Sequence, residues 1–262
     1  MIHKSNLKDK PIIELEDVTL QIPLMSKSDF SLKRKIIKSV TGGGFTRRKD
    51  NSFVTALNSV NLKVYKGEKI ALIGHNGSGK TSFIRLISGI YQPTLGSMKI
   101  NVKVYPMIER SFIVEWQLTG VDSAKAHYLM MNNSLKGVPE FLEDITEFSG
   151  LGDYIYLPIK TYSQGMAQRL LFSILTSFDF ECLALDEGFG TGDINFTEKA
   201  QKRANEFIEK AGTLIFASHS DDLLKRFCNR GLVFDKGNII CLLYTSDAAD
   251  EGLGVDLGGR RI

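Results

Sequence analysis

The spacing of apolar and polar positions changes several times along the chain, and each change marks an element. Pro11–Leu20 alternates apolar and polar residues and predicts a strand. Thr55–Tyr65, with Ala56, Leu57, Val60, Leu62 and Val64, predicts a second, which Lys66-Gly67-Glu68 turns into the apolar run Ile70–Ile73. Ser82–Gly89 is amphipathic at helical spacing. Pro93 and Gly96 mark a turn before Met98–Tyr105, which reads as one alternating strand. From Leu118 to Ser177 the period becomes helical: Tyr128, Leu129, Met130 and Met131, then Phe141, Leu142, Ile145 and Phe148, with breaks at Pro139, Gly150-Leu151-Gly152 and Pro158. The Met and aromatic residues of this block are expected to be packing. Strands are then predicted at Phe180–Glu187, Thr213–His219, Gly231–Asp235 and Asn238–Cys241, and helices at Glu198–Lys210 and Asp221–Phe227. Strands alternating with helices imply an α/β fold whose mainly parallel sheet is covered on both faces, with a helical subdomain inserted at about 118–177.

Two stretches stand outside this alternation. Residues 23–51 form an insert in which Leu32, Ile36, Ile37 and Val40 face Lys33, Arg34, Lys35 and Lys38, a short basic amphipathic helix followed by Gly42-Gly43-Gly44 and Arg47-Arg48-Lys49. It is either a solvated surface helix or a contact for anionic headgroups or a membrane partner. Residues 242–262 have no periodicity and resemble translated sequencing-adapter read-through, so they are set aside from the fold as a probable non-native tail.

Composition narrows the functional classes. The chain has 262 residues, 43% apolar and 24% charged, the proportions of a globular protein with ample core. A net charge of +3 argues against a surface dominated by nucleic-acid contacts. Cys182, Cys228 and Cys241 are widely spaced, without metal-ligand or disulfide spacing, as expected in a reducing compartment. The polar N-terminal segment is not a signal peptide, and no apolar run approaches ~18 residues, so work at a membrane requires an integral partner.

The chemistry centres on Gly74-His75-Asn76-Gly77-Ser78-Gly79-Lys80-Thr81-Ser82, between the apolar run and the amphipathic helix. Glycines permit the φ > 0 backbone that lets successive N–H groups wrap an anion, and the following helix adds about half a positive charge at its N-terminus. Lys80 is placed to reach β/γ-phosphates and the Thr81 hydroxyl to ligate Mg²⁺. Asp186 and Glu187 end an apolar strand, at the edge where open α/β sheets bind ligands: Asp186 to hold Mg²⁺ through water, Glu187 to orient and deprotonate an attacking water. His219 follows the next strand, where a γ-phosphate sensor is useful. Ser163 and Gly165 open an amphipathic helix and form a second anion-binding tip.

In this order the motifs resemble the ATP-binding subunit of an ABC transporter over essentially all of Pro11–Cys241. Gly74–Thr81 matches the Walker A motif, Tyr162–Met166 the signature, Cys182–Glu187 the Walker B strand with its catalytic acid, Gly190–Asp193 the D-loop, and His219 the switch histidine. More narrowly, the sequence is similar to the subfamily exporting capsule, O-antigen and teichoic-acid polysaccharides. The basic insert, the Tyr-Ser start of the signature, the run Glu187–Asp193 and Leu118-Thr119-Gly120 carry that likeness. The resemblance implies a phosphate-loop NTPase core with an antiparallel β lobe and an inserted helical subdomain, and hydrolysis of ATP with Mg²⁺. It implies a homodimer in which each ATP lies between one copy's Walker A loop and the other's Ser163 and Gly165. It also implies an integral permease partner handling a lipid-linked polysaccharide, no nucleic acid, and a peripheral place on the cytoplasmic face of the inner membrane. The alternatives are an ABC ATPase for another cargo, or a soluble one in nucleic-acid or ribosome work. The sequence departs from the family at three places. Ile22 stands where an adenine-stacking aromatic is usual, leaving Phe53 or Phe45 to supply it. Glu109 or Arg110 falls where a glutamine is usual, and Gln164 replaces a small residue.

Overall fold

The computed structural model describes residues 10–23, 53–107, 115–186, 198–218 and 220–244. Two sheets and two groups of helices make up the described fold. In the first sheet, β1 (Ile13–Pro23) lies between β2 (Phe53–Val64) and β4 (Leu95–Ile100), antiparallel to both. The second sheet runs in the order β5 (Val104–Met107), β6 (Cys182–Leu185), β7 (Thr213–Ala217), β3 (Lys69–Ile73), β8 (Arg230–Asp235), β9 (Asn238–Tyr244). All its pairings are parallel except the β8–β9 hairpin.

The inner strands of this sheet are buried on both faces. Ile70, Leu72, Cys182, Ala184, Ile215 and Ala217 point into one cluster, shared with the antiparallel lobe and with Phe83, Ile84, Leu86 and Ile87 of α1 (Lys80–Ile87). Their neighbours Ala71, Leu183, Leu185, Leu214 and Phe216 point into another, covered by α5 (Glu198–Lys210) and α6 (Asp221–Phe227). Strands buried on both faces read as continuous apolar runs, as these do. The fold is the expected α/β core with an antiparallel lobe.

The helical block comprises α2 (Gly120–Asn132), α3 (Val138–Ser149), two 3₁₀ turns at Gly152–Tyr156 and Ile159–Thr161, and α4 (Gln164–Leu175). Thr119 caps α2 by accepting from Asp122 N, and α3 and α4 close over Phe141, Ile145, Ile155, Leu170 and Ile174. Tyr128 and Phe141 pack ring on ring (centroids 4.8 Å apart), but Leu129 and Met130 are exposed (45% and 63%). The packing expectation for Met and aromatic residues therefore fails at Met130, and also at Tyr154 and Tyr156, which are exposed.

Met98–Tyr105 is not one strand. It divides into β4 and β5, in different sheets, and Asn101 fixes the break: its N–H donates to Ile12 O (2.8 Å) and its side-chain amide to Pro11 O (3.1 Å). The alternation runs through because Met98, Ile100, Val102 and Val104 all pack into the same shared cluster. Similarly, β9 continues past Cys241, with Leu242, Leu243 and Tyr244 in register against Leu232, Gly231 and Arg230. The first three residues of the segment set aside as foreign thus extend the sheet. The basic helix at 31–40, Phe45, and residues 245–262 lie outside the described residues.

Candidate nucleotide site

Residues 74–79 connect the C-terminal end of β3 to α1. Gly79 is the N-cap of α1, in the left-handed region (φ +118°), with no side-chain cap, so the first-turn N–H groups are left to a ligand. A Cβ on Gly79 would stand 2.9 Å from Ala56 O and 3.3 Å from the Leu57 side chain. A Cβ on Gly74 (φ +148°) would stand 2.5 Å from Phe234 O and 2.7 Å from Ser78 Oγ. The loop is thus pressed between β2 and β8, and glycine is what lets it fit. From the β8–β9 turn, Gly237 N donates to Ser78 O (2.8 Å) and braces the loop from the far side.

Lys80 is buried (6% exposed), with its ammonium donating to Gly74 O (2.6 Å) and His75 O (3.3 Å), so its charge sits over the loop itself. Thr81 Oγ1 donates to Asp186 Oδ2 (2.7 Å). Because β7 alone separates β3 from β6, two motifs 105 residues apart meet on one edge of the sheet. His75 is exposed, Nδ1 facing Asn76 O (2.8 Å) and Nε2 facing Asp235 Oδ1 (3.2 Å). Ser78 Oγ is buried and has no hydrogen-bond partner among the described residues.

Beside the loop lies a cavity of about 500 Å³. Asn76, Gly77, Gly79, Lys80, Thr81 and Ser82 line its polar end, while Ile22, Val54 and Ala56 form an apolar wall. Ile22 and Val54 are cross-strand partners in β1 and β2. Phe53, the proposed aromatic substitute, is exposed (51%) and is not among the lining residues. Lys236 and Gly237 also line the cavity. They were readable only as a turn, because their place over the loop depends on β8 lying beside β3.

Ser163 and Gly165 are exposed at the tip of α4, where Ser163 Oγ accepts from Met166 N at 3.3 Å. They line no part of the cavity beside Lys80. Glu187, Asp193, His219, Glu109 and Arg110 lie outside the described residues.

A phosphate loop on an inner strand of a parallel sheet, with a hydroxyl–carboxylate pair beside its lysine, is the arrangement of a phosphate-loop nucleotide-binding protein. Comparison with known proteins makes the class narrower. Residues 57–190 match the family described as ABC transporter. The chain is 35% identical over 228 residues to the O-antigen export system ATP-binding protein RfbE of Yersinia enterocolitica, covering 84% of this chain and 95% of that one. It is 36% identical over 185 residues to the capsule polysaccharide export ATP-binding protein CtrD of Neisseria meningitidis (71% and 84% covered). It is 34% identical over 227 residues to the teichoic acids export ATP-binding protein TagH of Bacillus anthracis, covering 87% of this chain but 40% of that longer one. The dimeric ATP-binding cassette MJ0796, solved in a post-hydrolysis state with ADP and Pi, superposes with a TM-score of 0.59 at 15% identity over 89% of this chain and 98% of that one, a likeness of fold alone. The chain belongs to the ABC transporter family, and its enzymatic class is the ATP-hydrolysing cassette.

Proposed function

We propose that this chain is the ATP-hydrolysing subunit of an exporter of lipid-linked polysaccharide. It works as a homodimer on the cytoplasmic face of the membrane, bound to an integral permease. The named relatives support the cargo class, since each is an export ATP-binding protein for an O-antigen, capsule or teichoic acid. No helix among the described residues is long and apolar enough to cross a membrane, in keeping with a separate permease.

The observation that carries the chemistry is the Thr81–Asp186 hydrogen bond of 2.7 Å. A hydroxyl and a carboxylate converging beside a buried lysine are hard oxygen donors of the kind Mg²⁺ takes, and the glycine-built loop next to them has the backbone for a polyphosphate. ATP and Mg²⁺ therefore fit the residues present. When bound, Mg²⁺ supplies positive charge against the β- and γ-phosphate oxygens. In this reading Thr81 and Asp186 hold the metal, and Lys80 exchanges the Gly74 and His75 carbonyls for phosphate oxygens. The N–H groups from Asn76 to Ser82 cradle the phosphates. Glu187 takes the proton of the attacking water, and His219 donates to a γ-phosphate oxygen. Ser163 and Gly165, exposed and outside the lining of their own chain's cavity, close on the ATP of the second copy, with Asp193 on the segment between catalytic acid and α5. The base rests on the aliphatic pair Ile22 and Val54 in place of an aromatic ring.

Replacing Glu187 with Gln tests the chemistry. The variant is expected to bind ATP, to lose turnover by about 10²-fold or more, and to accumulate as an ATP-bound dimer in sedimentation. Turnover at the unsubstituted rate would remove Glu187 from the role. Cargo is tested by co-expressing the chain with the permease subunit of an O-antigen exporter in cells lacking that exporter's own ATP-binding subunit. Surface polysaccharide should return; transport of another solute instead would reassign the cargo.

A further inference from the structure

A dense polar junction outside the nucleotide site joins the helical block to the core, and it is built around one side chain. Arg203, on α5, is largely buried (16% exposed). Its Nη1 donates to Asp144 Oδ1 (2.8 Å) and its Nη2 to Asp144 Oδ2 (2.5 Å), a two-pronged grip on α3. Its Nε donates to Thr176 Oγ1 (2.7 Å), and Nη2 also reaches Ser177 Oγ (2.6 Å) and Ser173 O (3.3 Å), all at the C-terminal end of α4. Ser177 Oγ in turn donates to Asp144 Oδ2 (2.8 Å). The guanidinium lies 4.3 Å from the centre of the Phe148 ring. Arg203 holds the Asp144 carboxyl below the usual carboxylate range, so the pair stays charged at neutral pH.

We propose that Arg203 is a positioning residue: it sets the angle at which α4 presents Ser163 and Gly165, relative to the Lys80–Thr81–Asp186 core of the same chain. The proposal rests on the reading that Ser163 and Gly165 close on a second copy's ATP. Three features of the geometry lead to it. The latch grips one end of α4, and the proposed ATP-contacting tip is the other. At 12 residues α4 is a rod about 18 Å long, so a tilt of about 5° at the latch moves the tip by about 1.5 Å. An error of about 1 Å in a reacting constellation can cost two orders of magnitude in rate. α5, which carries Arg203, is the first described element after Asp186, so the latch joins the catalytic edge to the rod. Finally, the fork is directional. A planar guanidinium satisfying Asp144, Thr176 and Ser177 at once permits one orientation of three helices, whereas an ammonium, with one nitrogen, does not. Asp144 is half exposed (46%), so the latch adds more to geometry than to stability. Through it, the state of one nucleotide site is passed to the tip that completes the other.

The test uses Arg203→Met, Arg203→Lys and Asp144→Asn in the full chain, each also combined with Glu187→Gln. Three quantities are read: affinity of the monomer for a fluorescent ATP analogue, the Hill coefficient of ATP turnover, and the dissociation constant of the ATP-induced dimer by sedimentation. The proposal expects monomer affinity within about twofold of the parent. The Hill coefficient should fall towards 1 and the dimer weaken by about tenfold in the Met and Asn variants, with Lys restoring little. An unchanged dimer constant and Hill coefficient in Arg203→Met would overturn it. So would equal losses of monomer affinity, dimerisation and melting temperature, which mark an ordinary structural contact. Failure of Glu187→Gln alone to pair with ATP is a separate result: it would overturn the shared-site reading itself, and the positioning role with it.

Discussion

His75 shows how much one loop side chain can demand of its surroundings. Both its ring nitrogens face acceptors, the Asn76 carbonyl and the Asp235 carboxylate, and only the imidazolium donates to both. The Asn76 carbonyl first and Asp235 second raise its pKa above the ordinary imidazole range, against opposition from burial and from Lys80. A histidine whose pKa is raised on folding contributes stability that is complete below its unfolded value, near 6.5, and is lost as pH rises through the folded value. An NMR titration of the ring should therefore give a midpoint above 6.5, and Asp235→Asn should lower that midpoint and flatten the dependence of stability on pH in this window. An unmoved midpoint would remove Asp235 as a partner. The change of charge occurs in the turn proposed to hold the triphosphate, so nucleotide affinity of the unsubstituted chain should weaken across the same window. Asp235, like Lys236 and Gly237, could not be placed beside the loop from sequence, because the loop's own pattern is local and its supports come from β8.

At the scale of elements, the readable parts were those whose ends carry their own signals. α5 begins with Glu198 and ends with Lys210, charges that complement the helix dipole, and it spans the residues its periodicity predicts. The stretch 98–105 failed because two strands in two sheets share one core, so nothing in the period marks where the chain leaves one sheet for the other. The Arg203 latch was invisible for a related reason: its partner Asp144 lies 59 residues away, on a helix of another block. The loop–helix element of the nucleotide site was readable as a motif, but what holds it down was not. Gly79 is pinned against Ala56 of β2, so Gly79→Ala places a Cβ at a strained φ and 2.9 Å from a backbone oxygen. That substitution should cost about 1–3 kcal/mol of stability, seen as a lower melting temperature. It should also weaken nucleotide binding by more than the same change at Gly89, where a Cβ meets nothing within 4 Å. Equal effects at the two positions would show that the packing of the loop against β2 is unimportant.

The whole molecule divides according to where its apolar side chains meet. One cluster fuses the antiparallel lobe to the parallel sheet, and a second covers that sheet's other face with α5 and α6. The helical block has a core of its own, and Phe178 packs against both that core and the second cluster. A block with a core of its own, joined to the rest by edge contacts of Met131, Leu175 and Phe178 and by the polar latch, forms a separate cooperative unit. Such a division suits a site proposed to be shared between copies, since the Ser163 tip stays rigid within the block while the Arg203 latch sets the block's angle to the core. Ile145 tests the division, being fully buried in the block's core and touching neither of the other clusters. Ile145→Ala should cost about 2–5 kcal/mol, and hydrogen exchange should report the loss in α2, α3 and α4 while β3, β6, β7 and β8 keep their protection. ATP-induced pairing should weaken in the same variant, because the tip is then mounted on a loosened block. Loss of protection spread evenly across the sheet and the block would mean that the fold opens as one unit, and that the angle of α4 is not an independent degree of freedom.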